Sequence, residues 1–358
     1  MILTVNSQTG MPAMEFHIGI LPRQSVQDSL RTGRAVEELG LAGVWMADSH
    51  SVMRDAYALL NLLAVQTSRI KLASGVTPTG TRHPAVLANS WATLDEVSGG
   101  RAILGLGIGD SAVMNLGMRP EKLALFEEKL NVIRALMRGE VVEYEGKSIR
   151  MPWSRRAVPI VMACSGPKSL QLGGRIADGI LFQVGANPAF VRYALHNIRK
   201  GVEAAGRQLS DLTLYMRMAC AISEDREQAR SEVRGYASVA AGTVFKTIPR
   251  EYFDEDLWED LERFRAGYNY IEHGSNTSQQ ARLITDRILD AISVAGTPDD
   301  AIPRFSELAG MGIDGFVCPV AMDDPIPYLQ TFAEKVVPHV AARQKSQDGV
   351  THAANLSS

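Results

Sequence analysis

The sequence predicts a (β/α)8 barrel, and three observations carry that reading. Apolar, strand-like runs alternate with helix-like segments eight times between residues 14 and 340. The runs are apolar along most of their length, as expected of parallel strands covered on their faces. Side chains able to do chemistry gather just after the runs, at the strand ends where such barrels hold their sites.

The elements follow in order. "FHIGI" (Phe16–Ile20) leads to a helical Val26–Leu39. "GVWMA" (Gly43–Ala47) precedes Ala56–Gln66, whose apolar residues recur at three and four. "IKLASGV" (Ile70–Val76) precedes Pro84–Val97, and Pro84 suits a first helical turn. "AILGLG" (Ala102–Gly107) precedes Glu121–Met137, charged on one face. "PIVMACSG" (Pro159–Gly166) precedes Lys168–Ile176, and "GILFQVG" (Gly179–Gly185) precedes Ala189–Ala205. "LTLYMRMACAI" (Leu212–Ile222) precedes Arg226–Ala240, and "GIDGFVCPV" (Gly312–Val320) precedes Pro325–Val337. Two decorations are expected, a hairpin over Val141–Met151 and a largely helical insert between Ala241 and Ile292. "YNYIEHG" (Tyr268–Gly274) in that insert is expected to cover the substrate. One domain is expected over residues 14–340, with Met14 a candidate start and 1–13 and 341–358 as polar tails.

Composition excludes several roles. A net charge of −3 over 358 residues leaves no footprint for nucleic acid or for an anionic membrane surface. Cys164, Cys220 and Cys318 lie far apart in apolar runs, which suits buried thiols in a reducing compartment, and the seven histidines show no metal-ligand spacing. The first twenty residues lack the pattern of a signal peptide. "YALLNLLAV" (Tyr57–Val65) is too short to span a bilayer, so a cytoplasmic protein is expected.

The run Gly105, Gly107, Gly109, Asp110 raises the question of a dinucleotide fingerprint. That motif needs Gly-x-Gly-x-x-Gly opening a helix, whereas here the spacing is Gly-x-Gly-x-Gly and the next helix starts after "SAVMNLGMRP". "ACSGPKS" (Ala163–Ser169) likewise lacks the first glycine of a phosphate-binding P-loop. Several strand ends nevertheless share small residues: "ASGVTPT" (Ala73–Thr79), the glycine run, and "ACSGPKS". Small side chains admit a flat ligand to the backbone, and a helix N-terminus offers N–H groups to a phosphate.

"GVTPTGTRHPAVLANSWATLDEVSGGRAILGLGIGDSA" resembles the luciferase-like flavin and deazaflavin oxidoreductases, nearest their methylenetetrahydromethanopterin reductase and F420-dependent dehydrogenase branch. "WMADS", "ACSGPKSLQLGGRIADGILF" and "VAGTPDDAIPRFSELAGMGIDGFV" extend the likeness over Met14–His339. The resemblance implies a barrel whose mouth holds coenzyme F420 or FMN. A cis peptide after strand three, at Ser74–Gly75 or Gly75–Val76, would back the ring, with Thr77 beside it. Gly107, Ile108, Gly109 and Asp110 match the strand-four loop along the cofactor, and Ala163, Cys164, Ser165 and Gly166 match the strand-five segment. Asp48 matches an acidic cofactor contact. Ser49 stands where relatives often carry a catalytic histidine, and the histidine follows at His50. Asp110 matches a position that serves as a glutamate proton donor in one dehydrogenase type. No metal site and a homodimer are implied.

Each candidate has a plain structural alternative. His50 is a general acid/base or a loop histidine bonded to Asp48 or Asp55; Asp110 is a proton donor or a helix cap. Lys168 pairs with phosphate or is solvated, Arg82 and His83 organise a helix start, and Trp45 and Trp91 belong to the core. The leading expectation is F420-dependent hydride transfer to or from a small organic substrate. The alternatives are an FMN-dependent monooxygenase supplied by a separate flavin reductase, and a flavin-binding protein without turnover.

Overall fold

In the computed structural model, which describes residues 14–266 and 279–340, eight parallel strands form a closed cylinder. They are β1 (Glu15–Ile20), β2 (Gly43–Met46), β3 (Lys71–Ser74), β4 (Ala102–Gly107), β5 (Ile160–Cys164), β6 (Gly179–Phe182), β7 (Thr213–Arg217) and β8 (Gly315–Val320). Neighbours in sequence are neighbours in the sheet, β8 returns to β1, and Leu72 and Ala73 of β3 pair with Ala102 and Ile103 of β4 to close the ring. Around it pack α1 (Val26–Glu38), α2 (Ala56–Gln66), α3 (Pro84–Ser98), α4 (Leu123–Met137), α5 (Pro167–Ile176), α6 (Pro188–Ala204) and α7 (Arg226–Thr247), followed by the helices of the last crossover. The expected tails and the Tyr268–Gly274 segment lie outside the described residues.

Local chemistry sets the helix starts. Ser25, Asp55, His83, Asn187 and Asp225 each accept an otherwise unpaired N–H of the helix they precede. Helix α3 ends on Gly99 in the left-handed region (φ 67°), which turns the chain under the barrel. Arg101 then donates to the carbonyls of Ala64, Thr67, Ile70 and Ser98, tying the end of α2 to the start of β4.

The expected hairpin forms between Val142–Tyr144 and Lys147–Ile149. One strand was not foreseen. The run Leu212–Ile222 breaks at Met218, and its second half, Ala219–Ile222, leaves the cylinder to pair in parallel with Ser293–Gly296. Four residues at the edge of a helical insert carry too little periodicity to mark a strand.

The cylinder is filled, not hollow. Trp45, Ala73, Ile103, Val161, Leu181, Tyr215 and Val317 pack its middle. Beneath them lies a polar floor. His17, fully buried, bonds Glu15 at 2.9 Å, Lys71 pairs with Glu15 at 2.5 Å, and the Tyr215 hydroxyl donates to Glu15 at 3.3 Å. Burial lowers the pKa of His17 below 6.5, so the ring is neutral and its Nε2–H donates to the carboxylate. Burial alone would raise Glu15, but its bonds to His17 and Lys71 outweigh that and hold it at about 2, with Lys71 supplying the charge.

Both groups make acid destabilising. Below pH 6.5 the unfolded chain protonates His17 while the folded one resists, and stability falls. Below 4.5 the unfolded chain also protonates Glu15, and that contribution is lost progressively toward about pH 2. Glu15→Gln is therefore expected to flatten the acid limb of a plot of urea midpoint against pH. An unchanged slope below pH 4.5 would refute this account of the floor.

Candidate active site

One step above the packed middle, the inward position of each strand is known from the alternation of faces. On β1 through β5 it is Gly19, Ala47, Gly75, Gly105 and Ala163, none larger than a methyl group. On β6, β7 and β8 it is Gln183, Arg217 and Pro319. The mouth is thus an asymmetric cup: small residues stand on five adjacent strands with Val76 packed against the inner cluster, and the other side is polar at Gln183 and Arg217.

The bareness has a cause. After β3 the chain bulges at Gly75–Val76, which is the cis peptide, and resumes as Thr77–Pro78 paired with Leu106–Gly107. The bulge puts the Ser74 carbonyl where a Cβ on Gly105 would sit, 2.0 Å away, and Val76 2.9 Å from a Cβ on Gly107. The Ser74 hydroxyl locks the contact by donating to the Gly105 carbonyl at 2.8 Å. Gly109 has φ +96° and no room for a side chain beside Val113. The glycine run is therefore strand closure followed by a turn, not a nucleotide fingerprint. Gly166 differs: a Cβ there would meet only Thr247 at 3.9 Å, so the N-terminus of α5 opens onto free space.

A buried charge network stands beside the bulge. Asp48, with 3% of its side chain exposed, accepts from Thr77 at 2.6 Å and from Arg82 at 2.7 Å through one oxygen. Its other oxygen faces His50 Nδ1 at 3.3 Å. Arg82 also lies over the Tyr57 ring at 4.2 Å, and the Tyr57 hydroxyl, whose pKa burial raises to about 12, bonds Thr77. Asp48 is thus engaged on both oxygens by protein groups. His50 is left with an Nε2 that is buried and has no partner.

The remaining sequence candidates fall around this cup. Ser49 is buried and bonds Ser111 at 3.0 Å, joining the loops after β2 and β4. Asp110 is exposed, and although its backbone carbonyl accepts from Val113 and Met114, its carboxylate makes no capping bond. Ile108 is half-buried, and its carbonyl accepts from Glu121 N–H, while Glu121 pairs with Lys129 and Thr79 to fix the strand-four loop. Ala163 and Ser165 face the cup by alternation; the Cys164 thiol turns outward to the Ser169 carbonyl at 3.1 Å, and burial raises its pKa. His83 caps α3, Lys168 is exposed, and Trp45 and Trp91 are core. Two surface grooves, of about 620 Å³ along Glu224, Lys335 and His339 and about 280 Å³ along Trp153 and Arg156, touch none of the rim.

Sequence reading missed Arg217, Gln183 and Glu121. An arginine inside the apolar run "LTLYMRMACAI" was a visible signal; Gln183 and Glu121 gave none. Two observations fit a ligand with a flat ring and an anionic tail: a Cβ on Gly166, at a helix N-terminus, would meet only Thr247 at 3.9 Å, and His50 Nε2 and Arg217 Nε are buried without partners at this end of the cylinder.

Comparison with known proteins agrees with this geometry. Residues 4–315 match the family described as luciferase-like monooxygenase. The chain is 33% identical over 312 residues to 5,10-methylenetetrahydromethanopterin reductase of Methanolobus tindarius, covering 85% of this chain and 93% of that one. It is 35% identical over 329 residues to the F420-dependent glucose-6-phosphate dehydrogenase of Nakamurella multipartita, covering 86% and 91%. The structure of the coenzyme F420 dependent tetrahydromethanopterin reductase of Methanopyrus kandleri superposes with a TM-score of 0.77 at 26% identity, over 92% of this chain and 100% of that one.

Replacing Asp48 by Asn breaks a buried pair and leaves Arg82 only the more distant, exposed Asp55 at 4.0 Å, which is expected to cost about 3 kcal/mol. Asp110→Asn, at an exposed and uncapped carboxylate, is expected to leave stability within about 0.5 kcal/mol. Urea unfolding of the two variants side by side checks both, and equal midpoints would overturn the roles given to these carboxylates.

Proposed function

The chain belongs to the luciferase-like monooxygenase family, and from that premise we propose that it is an oxidoreductase passing a hydride between coenzyme F420 and a small organic substrate. The observation that carries this reading is the likeness, at 33% and 35% identity over 85% and 86% of the chain, to a methylenetetrahydromethanopterin reductase and an F420-dependent dehydrogenase. The family description, luciferase-like monooxygenase, favours a second reading as a monooxygenase, for which FMN and a separate flavin reductase would be the proposed supply.

Coenzyme F420, when bound, supplies or accepts the hydride. The protein's part is placement and proton handling. Gly75, Val76 and Gly107 would lie behind the ring, Ile108 and Gly109 along it, and Ala163 and Ser165 at its edge. Gly166 and the first N–H groups of α5 would hold an anionic group of the tail. Thr77 and Asp48 would fix the bulge and not the cofactor, since both are bonded to each other and to Arg82. Asp110, exposed and free of a cap bond, would give or take the substrate's proton. His50 is the second group: Asp48 holds Nδ1, which leaves Nε2 to meet a ligand. Ser49 would brace the loop on Ser111 without touching the proton.

Purified protein titrated with F420 and with FMN, followed by cofactor fluorescence, tests the reading. F420 is expected to bind in the micromolar range and FMN not to bind. The opposite result, with peroxide released from reduced FMN and oxygen, would favour the monooxygenase. Asp110→Asn is expected to lower kcat by about 100-fold with little change in F420 affinity. Full turnover in both Asp110→Asn and His50→Ala would remove these two as proton carriers.

We also propose a homodimer through α2 and α3, whose Leu62, Val65 and Val86 are exposed apolar residues. Val65→Glu with Leu62→Glu is expected to shift the sedimentation coefficient from dimer to monomer; a wild-type monomer would refute it.

A further inference from the structure

Arg217 has no role in the scheme so far. It stands on the inward face of β7, one step above Tyr215, and reaches across the cylinder so that Nη1 donates to the Gly75 carbonyl at 2.9 Å. Its guanidinium lies 5.7 Å from the centroid of the Tyr236 ring, and Tyr236 in turn bonds Gln183 at 3.4 Å. Its Nε–H is buried with no partner, and no carboxylate pairs with it among the described residues. Most other partly buried arginines here are neutralised or fully bonded: Arg82 on Asp48, Arg230 on Asp290, Arg101 on backbone carbonyls.

A buried unpaired donor is costly, and a guanidinium carries its charge at every accessible pH. Both deficits sit at the level of the bulge, where the ring of the proposed function would lie. Accepting a hydride brings two electrons and one proton, so the ring gains one negative charge. We propose that Arg217 is the counter-charge for that gain, holding the reduced cofactor more tightly than the oxidised one. The Gly75 carbonyl and Tyr236 anchor the guanidinium at this height and leave Nε–H without a partner. This inference rests on the cofactor reading above and adds a residue that sets the redox balance of the bound ring.

The test measures Kd for oxidised and, anaerobically, for reduced F420 in wild type, Arg217→Gln and Arg217→Lys, together with the midpoint potential of the bound cofactor. Gln keeps an N–H for Gly75 and loses the charge; Lys keeps the charge. Arg217→Gln is expected to lower the ratio of oxidised to reduced Kd by about tenfold, a fall of about 30 mV for a two-electron couple. Arg217→Lys is expected to retain most of the ratio. An equal loss of affinity for both redox forms, or an unchanged ratio in Arg217→Gln, would overturn the counter-charge role while leaving the cofactor reading intact. A wild type that binds neither F420 nor FMN would overturn both.

Discussion

The Ser74 carbonyl turned into the cylinder is the constraint on which the mouth depends. Because it fills the place of a side chain on Gly105, strand four must be bare there, and because Val76 follows, it must be bare again at Gly107. Only Leu72 and Ala73 pair with β4 before the bulge, and only Thr77 and Pro78 pair after it. Ring closure is therefore narrowest where the site lies. What elsewhere would be a weak seam is held by the Ser74 hydroxyl and by Arg217 reaching the Gly75 carbonyl from the opposite wall.

The two ends of the cylinder divide the work. At the floor, Arg101 gathers four carbonyls and Glu15 binds His17, Lys71 and Tyr215, while His17 Nδ1 stays buried without a partner. At the mouth, pairing is incomplete. Asp48 and Arg82 neutralise each other deep beside the bulge, and the groups nearer solvent, the Asp110 carboxylate, His50 Nε2 and Arg217 Nε, are left over. In the function proposed above these are the groups that would meet the ligand.

Eight apolar runs separated by helices sufficed to read the cylinder, because strands covered on both faces betray themselves by composition alone. The small residues after strands three, four and five, where the site is proposed, stand out in the sequence as well. Pairing could not. Nothing around Asp48 in "WMADSHS" says that Arg82, thirty-four residues later, will claim it, because the two meet only through the loops that follow β2 and β3. The face of Cys164 depends on strand alternation and on where α5 packs, and the break at Met218 depends on a partner strand seventy residues further on. Long-range partners of this kind leave no local trace.

The departure of strand seven at Met218 has a consequence for how this scaffold can change. Ala219–Ile222 and Ser293–Gly296 run side by side over four residue pairs, so the chain that enters the large excursion and the chain that leaves it are zipped together at its base. What lies between is nonetheless tied to the staves: Tyr236 bonds Gln183 and lies against Arg217, and the N–H groups of Ala186 and Asn187 donate to the Ala291 carbonyl. A change of length or sequence in the excursion therefore leaves the cylinder undisturbed only where it spares the zip, Tyr236 and Ala291.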